Sequence, residues 1–120
     1  MSSNPTTPSQ QKKQPKPDLI VKVLGRSVPI KFVSKSKESL SDGELGEFSS
    51  VPPMIHILAD LDHESRKRVA VHELVHAALA FAGLSEYHID EKVEESICTV
   101  MESAFGDIYE ALQKMDNNKE

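Results

Sequence analysis

"VAVHELVHAALAFAG", residues 69–83, is the stretch on which the fold turns. It is rich in Ala and Leu and stops at a glycine, so it predicts an α-helix with Gly83 just past its end. Inside it stand His72, Glu73 and His76, flanked by Val, Ala, Leu and Phe. Such flanks predict a helix enclosed by other elements, and polar groups enclosed with it must be satisfied. Upstream, "HESRKR" carries the helix back to a cap at Asp60 or Asp62.

Working outward from that helix, "MIHIL" (54–58) is short, apolar and bounded by Pro53 and Asp60, which predicts a strand. "DLIVKVLGRSVPIKFV" (18–33) predicts a hairpin of Leu19–Leu24 and Val28–Val33 around a "GRS" turn. Pro29 cannot donate to a ladder, so the second strand is expected to start there or to lie at an edge. A further short strand is expected around Leu45–Phe48, within an otherwise polar, Gly/Pro-punctuated stretch. Downstream of "LSEYH", Asp90 begins a second helix, acidic in its first turns as the helix dipole favours. Its apolar residues, from Val93 and Ile97 to Ile108 and Leu112, recur at amphipathic spacing. Gly106 marks a kink or an end, with Asp107–Met115 as the continuation. Strands followed by helices imply an α+β domain: a small mixed or antiparallel sheet packed against two helices.

The chain has 120 residues and a net charge of −5. Residues 1–17 are Pro, Ser, Gln and Lys-rich, with no aliphatic residue beyond Met1, and predict a disordered basic tail. Residues 18–115 are expected to form one domain and 116–120 to fray. The acidic balance argues against nucleic acid as a partner. No apolar run approaches the roughly 18–20 residues that span a bilayer, which argues against a membrane. Cys98 is the single cysteine, so no intrachain disulfide forms and a reducing compartment is compatible. With no signal-like segment at the start, a cytoplasmic protein of a microbe, or of a phage infecting one, is expected.

His72-Glu73-Leu74-Val75-His76 is H-E-x-x-H. On a helix, positions four apart share a face, so both imidazoles can point at one metal ion. Glu73 lies beside them, placed to take a proton from water held there rather than to bind the metal. This pattern predicts a zinc-dependent peptidase acting on a protein or peptide substrate, with Glu73 as general base. Catalytic zinc takes three protein ligands. A metzincin extension is excluded because Leu79 and Ala82 stand where Gly and His would be needed. Helical phase puts Glu94 inside the apolar arc of the second helix, Glu91 at its edge and Glu95 outside. Glu94 is therefore the expected third ligand, with Glu91, Glu95 and the loop residue His88 as alternatives. Asp90 is taken as the helix cap. His88 or Tyr87 would serve to stabilise an oxyanion, with Tyr109 behind them. Cys98 is read as a small apolar packing residue, and His56 and His63 as surface groups. A zinc-binding module without turnover is the rival function; a third is an interaction domain docked through its basic tail.

The order "MIHIL", "HELVHAALAFAGL", "DEKVEESICTVM" resembles the minimal zincins of the gluzincin type. These include small phage-encoded metallopeptidases and the catalytic core of ImmA/IrrE-like proteins. The resemblance covers roughly Met54 to Phe105. It implies a mixed sheet whose edge strand lies beside the active helix and takes the substrate peptide as a further strand. It also implies zinc on His72, His76 and a glutamate of the next helix, with Glu73 as base. A third histidine, at His88, would instead make the site resemble SprT-type zincins. The gap from His76 to any candidate glutamate is short for the pattern.

Overall fold

The structure is a computed structural model that describes residues 16–35, 40–41, 43–85 and 88–118. The expected tail lies outside these residues except for Lys16 and Pro17. Four strands and two helices follow in chain order: β1 (Leu19–Val23), β2 (Arg26–Val33), β3 (Gly46–Ser50), β4 (Pro53–Leu58), α1 (His63–Phe81) and α2 (Glu91–Asn117). The strands form one sheet in the order β1-β2-β4-β3. β2 and β4 run parallel while the other two pairs are antiparallel, so the sheet is mixed and the domain is α+β.

The first hairpin closes two residues earlier than the sequence suggests. Leu24 and Gly25 make the turn, with φ of 50° and 79°, and Arg26 and Ser27 already belong to β2. A two-residue turn with both central φ positive matches the twist of the strands it joins. Pro29 neither starts β2 nor sits on an edge strand; it lies within a central strand. The ladder explains this. Asp18 N donates to Ile30 O and Phe32 N donates to Asp18 Oδ2, so the backbone of Ile30 and Phe32 faces β1. The Pro29 nitrogen therefore faces the β4 side, one residue before that ladder begins at Ile30↔Ile55. No donor is missed there.

One sheet face carries the core. Val28, Ile30, Ile55 and Ile57 are buried, and Val69, Ala70, Leu74 and Phe81 of α1 pack onto them. The other face carries Lys31, His56 and Glu47 in cross-strand register. Burial holds the His56 imidazole below its ordinary value, partly offset by the charge of Glu47.

Asp62 caps α1 by accepting from Ser65 N at 2.8 Å. At the far end, Gly83 N donates to Ala80 O and Leu84 N to Leu79 O, with Gly83 at φ 78°. This double closure uses the left-handed conformation that glycine adopts without penalty. Asp90 caps α2 through Lys92 N. α2 runs unbroken through Gly106, without the end that residue suggests. α1 lies between β3 and β4 on one side and α2 on the other; among the described residues α2 packs on α1 and on no strand. No helix is long and apolar enough to cross a membrane, among the described residues.

Candidate metal centre

The α1–α2 interface is where polar groups gather. One turn of α1 separates His72 from His76, and their ring centroids lie 5.1 Å apart. Glu73 follows His72 in sequence and is buried, as is Ala77 on the same helix. Opposite, α2 presents Glu94, Glu95, Cys98 and Glu102; Cys98 lies four residues from Glu94 and Glu102 and three from Glu95, so the four share one broad face.

The contacts are specific to ring atoms. Both Nε2 atoms face the Glu95 carboxylate: His72 Nε2 lies 3.1 Å from Oε1, and His76 Nε2 lies 2.9 Å from Oε2. The Nδ1 atoms face outward from that point. His72 Nδ1 lies 2.9 Å from Glu102 Oε1, and His76 Nδ1 lies 2.6 Å from Glu94 Oε2. Two imidazoles thus meet carboxylates at all four ring nitrogens. A neutral imidazole has one N–H and can donate from one nitrogen only. The other then aims a lone pair at a carboxylate lone pair unless a cation lies between them. Two adjacent imidazolium ions would satisfy the set at the cost of like-charge repulsion; a single metal ion would satisfy it without.

His72, His76 and Cys98 are close enough to bind one metal ion, with donor atoms all within 4.8 Å of one another. Cys98 is fully buried. Burial, then the negative charges of Glu95, Glu94 and Glu73, pushes its thiol up to about 12. For His72, burial lowers the imidazole's pKa, but the hydrogen bond to Glu102 and the charges of Glu73 and Glu95 outweigh it, and the net shift is upward. Burial raises the Glu73 carboxyl, opposed by the charges of His76 and His72.

A cleft of about 610 Å³ opens over these groups. Edge strand β3 forms one wall through Gly46, Glu47 and Phe48; Glu91, Glu94 and Glu95 of α2 form the other. Gly46 sets how close β3 comes to α1. A Cβ on it would lie 2.5 Å from Val69 Cγ1 and 3.3 Å from Glu73 Cγ. Ser85 also lines the cleft, and its buried hydroxyl has no hydrogen-bond partner among the described residues.

His72, Glu73, His76 and Glu94 are brought together here, Glu94 at the Nδ1 side of His76. Glu91 reaches the cleft wall, and Glu95 faces both Nε2 atoms. His88 is exposed and does not line the cleft. Tyr87 lies outside the described residues. Tyr109 stacks on Phe105 away from the cleft. Glu102 and the closeness of Cys98 lie beyond the sequence reading. The signal was available: Glu95 and Glu102 are seven residues apart, with Cys98 between them at helical spacing. Comparison with protein-family models, curated proteins and solved structures gives no match.

Proposed function

We propose that this chain is a zinc-dependent peptidase whose metal is held by His72 Nε2, His76 Nε2 and the Glu95 carboxylate. The carrying observation is the convergence of both Nε2 atoms on one carboxylate, beside a buried Glu73. Glu94 and Glu102 then accept from the two Nδ1–H groups. Such carboxylates fix the tautomer and ring orientation of ligating histidines. When bound, zinc supplies a Lewis acid that polarises a carbonyl and acidifies water. Glu73, its pKa raised by burial at the cleft, takes a proton from water and returns it to the departing amine. β3 is an open strand edge along the cleft, able to hold an extended peptide by backbone hydrogen bonds. The H-E-x-x-H spacing and the resemblance to minimal zincins point the same way.

Elemental analysis of the purified chain is expected to give one zinc per molecule. Glu73→Gln should retain that zinc and lose roughly 10²–10⁴-fold in hydrolysis of an unstructured protein substrate. Unchanged hydrolysis in Glu73→Gln would reject the assignment.

The proximity of Cys98 favours a second reading, a His72–His76–Cys98 site closed by Glu95 as fourth ligand, which binds metal without turnover. Cobalt substitution separates the two. A thiolate-to-cobalt charge-transfer band, abolished by Cys98→Ser, belongs to the closed site. Its absence, with full metal content in Cys98→Ser, belongs to the peptidase.

A further inference from the structure

α2 carries a second face that the metal centre does not use. Val93, Val100, Ile108 and Met115 are 48%, 62%, 44% and 69% exposed. Ile97 and Ala104 are half-buried and Ala111 is exposed. These seven residues share a stripe about a third of a turn round the helix from the face that meets α1. Their spacing is symmetric about Ala104: Ile108 and Val100 lie four residues either side, Ala111 and Ile97 seven, Met115 and Val93 eleven.

We infer that this stripe is the interface of a homodimer, in which α2 packs antiparallel against α2 of a second copy and the two-fold axis passes at Ala104. An antiparallel pair about a two-fold axis sets each residue opposite its mirror position, so an isologous contact needs this symmetry. Val93 then meets Met115, Ile97 meets Ala111, and Val100 meets Ile108. The smallest side chain falls where the helices come closest.

The area suits such a pair. With Met101, Phe105 and Leu112 at its border, the stripe offers on the order of 500 Å² of apolar surface per protomer. Apolar atoms form about 65% of a homodimer interface. The whole patch then comes to roughly the 800 Å² per partner that a stable complex buries. The chain's own N-terminal residues 1–15 are polar and offer nothing to cover it. Beside the stripe, Asp107 and Glu110 offset Lys92 and Lys114, which does not suit an anionic lipid surface. The cleft stays open in the dimer, because its mouth lies between β3 and the other face of α2.

Light scattering on the eluting full-length chain is expected to give twice the chain mass at micromolar concentration. Ile108→Glu should give the monomer mass with unchanged far-UV circular dichroism. Orientation is read by cross-linking single-cysteine additions, native Cys98 being buried. Ala104→Cys should oxidise to a linked dimer. Ala111→Cys should link when mixed with Ile97→Cys but not with itself. A monomeric wild-type chain, a dimer that survives Ile108→Glu, or self-linking of Ala111→Cys without that of Ala104→Cys each overturns the inference.

Discussion

Glu94 and Glu95 are neighbours in sequence with different duties in the proposed centre. Glu95 would bind the metal; Glu94 would accept from His76 and orient it. Their substitutions should differ in kind. Glu94→Gln is expected to weaken zinc binding by about 10–100-fold, the usual loss for a supporting carboxylate. Glu95→Gln removes a charged ligand and should lose more than that. Competition against a fluorescent zinc chelator measures both, and equal losses would reject the division of roles. Helical phase favoured Glu94 because it lies within the apolar arc of α2. That arc is not the side of α2 that meets α1. The side facing α1 is centred on Cys98 and carries carboxylates, and much of the apolar arc faces outward. A moment computed from hydrophobicity points to an apolar partner, whereas a metal site on a helix is a polar stripe at the same period.

At the scale of elements, the helices were legible in the sequence because their ends carry local chemistry. Asp62, Gly83 and Asp90 each close a set of backbone groups that no distant contact needs to supply. The sheet was legible less completely. Pro29 is tolerated in a central strand because β4 pairs with only part of β2, and the extent of a parallel ladder is a long-range fact. Hydrogen bonds from the Ser65 backbone and hydroxyl hold the Asp62 carboxyl below its ordinary value near 3.8. A lowered carboxylate stabilises the fold above the unfolded-state pKa and loses that contribution as pH falls through the folded one. Asp62→Ala should therefore lose less stability than wild type between neutral pH and the acid side of 3.8, as followed by urea unfolding at each pH. Gly46 is a second test at this scale. Gly46→Ala drives a methyl into Val69 and should cost about 1–3 kcal/mol in urea unfolding. It should also reduce activity by displacing Glu73. A neutral Gly46→Ala would mean that β3 and α1 separate without cost.

For the whole molecule, a metal held at the proposed centre would share one free energy with the fold. Zinc at a thousandfold excess over its Kd should stabilise the chain by about 4 kcal/mol, seen as a rise in Tm. His72→Ala should abolish that rise. The described part of α2 packs on α1 alone, and four carboxylates, Glu73, Glu94, Glu95 and Glu102, crowd that one seam. In the chelated protein, α2 is therefore the segment with least to hold it, while the sheet keeps α1 through Ile55 and Ile57. Segments with few buried contacts open below the global unfolding free energy and exchange their amide hydrogens early. With the monomeric Ile108→Glu chain, chelation should speed exchange along 91–117 well before it changes the amides of β4. The metal would then act as a latch as well as a reagent, so that a molecule stripped of zinc also loses the wall of its own cleft.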